Sequence, residues 1–268
     1  MRLNAREVLT VAVKGFPRII GHRGASAHAP ENTLRAFVLA LEAGATGIEC
    51  DVHLTADGQI VVLHDDLVDA TTNGHGPVAT MTLAQVRALN VHSRGETIPI
   101  AEPDRIPTLA EVLDSFGRPG VLLNIEIKPT RTTALAAAVA RAIAAHPATP
   151  QVLLSSFDVT ALTYLHSEHP HLRRALLYPP TRRAGIIAGL LGRTGWIDHA
   201  VRLGCEAVHP FWQLATEQSI THAHTLGLTV NVWTVDDVTL ARQLAARGVD
   251  GIITNDPAKL RSAFAPAE

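Results

Sequence analysis

Residues 47–54 read GIECDVHL and residues 121–128 read VLLNIEIK. The two-residue period of a strand puts Ile48, Cys50, Val52 and Leu54 on one face of the first stretch, and Glu49, Asp51 and His53 on the other. In the second, Leu123, Ile125 and Ile127 share a face, opposite Asn124, Glu126 and Lys128. A central barrel strand has no solvent face: its outer side packs helices and its inner side lines the axis. The charged faces of both strands are therefore expected to point into one interior.

Outward from these strands the alternation continues. Strands are predicted at RIIGH, QIVVLHD, QVLLSSF, RRALLY, EAVHPF, LTVNVWTV and DGIITN. Helical segments such as ENTLRAFVLALEAG, TALAAAVARAIAAH, VTALTYLHSEH, SITHAHTLG and DVTLARQLAARG separate most of them. This rhythm implies parallel strands joined by right-handed crossovers. At 268 residues a TIM (β/α)8 barrel, forming a single domain over residues 1–268, is the economical solution. An open doubly wound sheet is the runner-up, and no GxGxxG follows a strand. Nine strands compete for eight places, and Asp57-Gly58 resolves the excess as a hairpin signal, with QIVVLHD either leaving the barrel pattern or pairing back on the strand before it. The rhythm then breaks. A small insertion at about residues 54–107 is expected over the barrel mouth, its centre from Asp66 to Arg105 rich in glycine and proline around the short helix TLAQVRALN. TLAEVLDSFG restores the pattern.

Three inward carboxylates and one lysine are expensive to bury. An ion-pair cluster is a poor solution, because one lysine cannot neutralise three carboxylates and such clusters stabilise little after desolvation. One divalent cation resolves the problem. Glu49, Asp51 and Glu126 offer hard oxygen ligands without thiolate, which favours Mg2+ or Ca2+ over zinc.

Among fourteen histidines, His146, His166, His169, His171, His222 and His224 fall on helices or their ends and read as solvated. His22 and His64 differ, because each closes an apolar strand run and precedes a charged residue. Catalytic groups of such barrels sit at strand C-termini. His53 shares the face of Glu49 and Asp51, and fits a metal neighbour, a phosphate contact or a satisfied core histidine equally.

Composition narrows the partners. A net charge of -2 leaves no basic footprint for nucleic acid. Two cysteines, Cys50 and Cys205, suggest reduced thiols. The N-terminal region holds an apolar stretch of six residues, shorter than a signal peptide's core, and no run reaches the ~18 of a spanning helix. A soluble cytoplasmic protein without stable membrane association is expected.

At HRGASAHAPENT, GIECDVHLTADGQIVVLHDD, NIEIK, SSF, VNVWTV and GVDGIITNDP the chain resembles the glycerophosphodiester phosphodiesterase family. The segments follow the family's order from about residue 19 to 258. The resemblance implies a TIM barrel with a small insertion and metal-dependent hydrolysis of glycerophosphodiesters to sn-glycerol 3-phosphate and an alcohol. It implies His22 and His64 as the general acid/base pair, and Glu49, Asp51 and Glu126 as ligands of one divalent cation. Arg23 and Lys128 match positive groups around the phosphate, Glu31 falls in PENT beside the site, and Trp233 matches a pocket aromatic. Two positions depart from the pattern: Ala70, where many relatives carry arginine, and Asn255, where many carry aspartate. The stretch from Tyr178 to Trp196 matches no motif, and its GIIAGLLG is expected as a packed helix.

Water and the glycerol 2-hydroxyl both remain open as the nucleophile, as does the division of acid and base between the histidines. Two competing functions share the residues. A phospholipase C/D-like or sphingomyelinase-like enzyme acting on intact lipids should show a basic, aromatic docking surface, and 4% aromatics do not supply one. A non-catalytic phosphate-ligand-binding barrel should lack a histidine or a carboxylate, and none is missing.

Overall fold

The computed structural model describes residues 16–94, 104–130, 132–179 and 194–264. Eight parallel strands close into a barrel. They are β1 (Arg18–His22), β2 (Gly47–Leu54), β4 (Leu122–Ile127), β5 (Val152–Ser156), β6 (Arg174–Tyr178), β7 (Ala207–Pro210), β8 (Thr229–Val232) and β9 (Gly251–Thr254). The ring runs β1-β9-β8-β7-β6-β5-β4-β2 and closes where β2 pairs with β1. The ninth strand, β3 (Ile60–Val62), lies outside the ring, antiparallel on β2 with Leu54 opposite Ile60 and Val52 opposite Val62. Gly58, at φ +76°, makes the turn between them.

Periodicity explains the layers. Ile48, Cys50 and Val52 of β2, with Leu123, Ile125 and Ile127 of β4, pack outward in one core with Phe37, Ala40, Leu135 and Val139. These come from the helices Leu34–Glu42 and Ala134–Ala144, whose apolar faces cover the barrel. Inside the barrel, Ile20, Leu122, Leu153, Ala175, Ala207 and Ile253 form a small apolar plug. The charged positions of β2 and β4 face the interior with it, at the end where the connecting loops gather.

Between β3 and the helix Leu109–Phe116 the chain builds a minor core of its own. Val61, Leu63, Val68, Val78, Val86, Val91 and Ile106 bury one another there. The short helix Leu83–Arg87 starts on a capping box, Thr82 with Gln85, as its sequence pattern suggests. Arg35 fixes this segment to the barrel's first helix through Asp104, at 2.6 Å. Gly95, Pro99 and Pro103 of the expected insertion lie outside the described residues, and so does the helix expected within 185–192. Among the described residues no helix is long and apolar enough to cross a membrane.

Candidate active site

Strand β1 delivers His22 and then turns sharply. Arg23 and Asn32 hold left-handed backbone at φ 56° and 60°, a conformation that costs a non-glycine residue of order 1–3 kcal/mol. Gly24 cannot be anything larger, because a Cβ there would lie 2.5 Å from the backbone of Ala36. The strained corner is tied shut. Asn32 N donates to Arg23 O at 3.0 Å, and the Asn32 amide donates to Asp51 Oδ2 at 2.8 Å. Thr33 then caps the following helix by accepting from Ala36 N. The corner thus presents Arg23 to the barrel axis. Its backbone N–H donates to Glu49 Oε2 at 2.9 Å, and its guanidinium meets Glu31 Oε1 at 2.9 Å and Asp51 Oδ2 at 3.4 Å.

Glu49, Asp51 and Glu126 come together as the alternation of β2 and β4 requires. All three are buried, with ligand-capable oxygens within 4.8 Å of one another. Lys128 Nζ lies 2.7 Å from both Asp51 Oδ1 and Glu126 Oε1, so its ammonium is held by carboxylates. Three carboxylates thus face two cations, Arg23 and Lys128, and Arg23 is shared with Glu31. The imbalance shows in their acidities. Burial, then Asp51 and Glu126, pushes Glu49 well above the usual carboxylate range. Burial and Asp51 push Glu126 up to about 7, against the pull of Lys128. Burial opposes the charge of Asp51 too, but Lys128 and Arg23 outweigh it and hold that group low. Beside Glu49, on the neighbouring strand, buried Asn124 leaves its Oδ1 without a hydrogen-bond partner among the described residues. Excess buried negative charge and an unmatched acceptor are what a hard cation would satisfy.

His22 and His64 line the same pocket as Glu49, Glu126, Arg23 and Lys128. Their routes differ. His22 ends a barrel strand, as expected. His64 does not: because β3 runs antiparallel, Leu63 N returns to Asp51 O at 3.0 Å, and His64 enters beside the carboxylates from the hairpin. His53 braces that return through Nε2 to His64 O at 3.2 Å, which favours a structural role among its three readings.

Each histidine has one nitrogen tethered. Asn255 Nδ2 donates to Asp236 Oδ2 at 2.6 Å, which turns Asn255 Oδ1 toward His22 Nδ1 at 2.7 Å. Since Oδ1 can only accept, His22 Nδ1 donates and Nε2 keeps its lone pair. Burial and the Arg23 charge lower His22 to about 4, so it is neutral at pH 7. His64 Nδ1 meets Asp65 Oδ1 at 2.6 Å, and burial lowers its pKa as well. Opposite these groups the pocket wall is apolar, with Phe157, Leu177, Trp233 and Ile253. Trp233 packs edge-on against Phe157, and its indole N–H donates to His209 O at 2.7 Å.

The expected solvated histidines behave differently. His146, His222 and His224 sit on surface carboxylates, Asp114, Asp198 and Asp250, at 3.0, 3.0 and 2.8 Å. Asp236, Arg94 and the buried His209 have their partners elsewhere in the chain and no local signal in the sequence. Asp65 carried a local signal, because it adjoins His64.

The sequence pattern of the Glycerophosphoryl diester phosphodiesterase family matches residues 22–259. The chain belongs to that family. A glycerophosphodiester phosphodiesterase of Caldanaerobacter subterraneus subsp. tengcongensis is 37% identical over 245 residues, spanning 90% of this chain and 95% of that protein. One from Bacillus subtilis is 31% identical over 251 residues, covering 89% and 83%. Among solved structures, an Oleispira antarctica phosphodiesterase bound to the product sn-glycerol-3-phosphate superposes with a TM-score of 0.80 at 30% identity, covering 93% of this chain and 97% of that one. The family's architecture is the barrel described above, so a member's site is expected where these loops gather.

Proposed function

We infer that this phosphodiesterase hydrolyses glycerophosphodiesters to sn-glycerol 3-phosphate and an alcohol, as one barrel domain with an insertion at about residues 54–107. The observation that carries the reading is one pocket lined by two Nδ1-tethered histidines, Glu49 and Glu126, with Asp51 buried against those two carboxylates. Arg23 engages the phosphate through the guanidinium edge left free by Glu31 and Asp51, and Lys128 adds positive charge beneath it. His22 and His64 move the protons of nucleophile and leaving group through Nε2. Glu49, Asp51 and Glu126 hold one divalent cation, Mg2+ or Ca2+. When bound, that ion supplies Lewis-acid stabilisation of charge on the phosphate. The free, buried thiols of Cys50 and Cys205 suit the reducing cytoplasm.

The small pocket favours a soluble diester over an intact lipid. The expected result is much higher kcat/KM on glycerophosphocholine or glycerophosphoethanolamine than on diacyl lipids with the same headgroups, or sphingomyelin, in detergent micelles. Faster cleavage of intact lipid would transfer the reading to a phospholipase-like enzyme. Inactivity on every diester with metal supplied would favour the binding barrel.

The raised acidities of Glu49 and Glu126 give the metal site a pH signature. Without metal Glu126 keeps its proton up to about pH 7, and burial with Asp51 and Glu126 raises Glu49 in the same direction. A carboxyl whose folded pKa is raised stabilises the fold below its unfolded pKa, and loses that contribution as pH rises through the folded value. A cation replaces the protons and must displace them to bind. The Tm increase on adding Mg2+ or Ca2+ should therefore be larger at about pH 8 than at about pH 6, with proton release visible by calorimetry in buffers of different ionisation enthalpy. Equal increments and no proton release would contradict the assignment.

A further inference from the structure

Arg94 lies outside the pocket, exposed at the end of the described part of the insertion, yet it touches both arms of the site. Its Nη2 is 2.9 Å from Glu31 Oε1 and 2.8 Å from Asp65 Oδ2, and its Nε donates to Glu31 Oε2 at 3.4 Å. Each of these carboxylates also holds a pocket residue. Glu31 Oε1 receives Arg23 Nη1 at 2.9 Å, and Asp65 Oδ1 faces His64 Nδ1 at 2.6 Å. The chain Arg23–Glu31–Arg94–Asp65–His64 therefore runs unbroken from the corner after β1 to the loop after β3.

The backbone that carries Arg94 is itself fixed. Val91 bridges to Thr72 and to Asp104, and His92 N donates to Thr71 O at 2.9 Å. Asp104 is in turn clamped by Arg35. The insertion is thus anchored at the point where it reaches toward the two carboxylates.

We propose that Arg94 is a positioning residue, setting His64 through Asp65 and Arg23 through Glu31, and so making the insertion part of the catalytic apparatus. The proposal rests on the roles given above to His64 and Arg23. A planar guanidinium can donate along separate directions to two carboxylates, whereas an ammonium is a point charge without that fork. Asp65 and His64 are about a third exposed, at 29% and 32%, so neighbouring packing leaves them room to turn toward water. Arg94 removes that freedom. Geometry matters to rate here, since displacing a reacting group by about 1 Å can cost 10²-fold. The opposing view is that an exposed ion pair contributes next to nothing. Arg94 differs from such a pair because its partners are the residues that hold the pocket groups.

The test compares Arg94→Ala and Arg94→Lys with wild type on glycerophosphocholine, alongside Arg23→Ala and His64→Ala. Arg94→Ala should lower kcat/KM roughly 10- to 100-fold with Tm unchanged. Millimolar guanidinium should restore part of its rate and leave wild type unaffected, and Arg94→Lys should recover less than half of the loss. Activity of Arg94→Ala within twofold of wild type, while Arg23→Ala and His64→Ala are crippled, overturns the proposal and leaves the site reading standing. A loss matched by a lower Tm and not relieved by guanidinium also overturns it, because the role is then structural. If Arg23→Ala and His64→Ala stay active, the site reading falls and takes the proposal with it.

Discussion

Glu49→Ala, Asp51→Ala and Glu126→Ala should each lower kcat/KM on glycerophosphocholine by roughly 10³-fold or more, since several kcal/mol of transition-state stabilisation is at stake. Their effects on the fold should differ. Asp51 is the partner of Lys128 at 2.7 Å and of Asn32 at 2.8 Å, so its loss strips two buried groups of a partner and lowers Tm. Glu49 is different: among the described residues its side chain accepts from the Arg23 backbone and adds negative charge to a region already short of cations. Glu49→Gln keeps the acceptor and removes the charge. The metal-free Glu49→Gln protein should therefore melt above metal-free wild type in alkaline solution, where wild-type Glu49 loses its proton, while being inactive, and should lose the Tm response to added cation. A lower Tm for Glu49→Gln would mean that the carboxylate is there to stabilise the fold.

His22→Ala and His64→Ala should each reduce kcat by about 10²–10⁴-fold, the range for a proton-transfer group, with the metal-induced Tm shift retained. His22 is neutral at pH 7, because its pKa lies near 4. Its ability to accept a proton should therefore persist into mildly acid solution and be lost as pH falls through that value. His146→Ala should behave as wild type, since its ring meets Asp114 on the surface at 3.0 Å. Near-normal kcat in either pocket variant removes that residue from proton transfer.

Much of this geometry is legible locally. The alternation in GIECDVHL and NIEIK separates core from site because a strand's period is fixed, and Asp57-Gly58 announces the hairpin that expels β3 from the ring. What local pattern cannot supply is the partner of a side chain across the barrel. His22 depends on Asn255 and Asp236, more than two hundred residues along the chain, and no period in either segment encodes the pairing. Asn255 was read as a departure at the mouth, and the structure makes it the acceptor that fixes the His22 tautomer. The partners of Lys128 are likewise not written in its own segment: its ammonium lines the pocket and sits on Asp51 and Glu126, because buried carboxylates draw the nearest cation. His64 closes the apolar run of the hairpin that Asp57-Gly58 signals, and it reaches the pocket because β3 runs back along β2.

The most direct test of the central claim is the phosphorus NMR spectrum of glycerophosphocholine incubated with the purified protein and Mg2+ or Ca2+. The diester resonance should give way to that of sn-glycerol 3-phosphate, with free choline formed in equal amount and the conversion stopped by EDTA. Phosphocholine as the product, undiminished conversion in EDTA, or an unchanged diester signal with metal supplied would contradict the account.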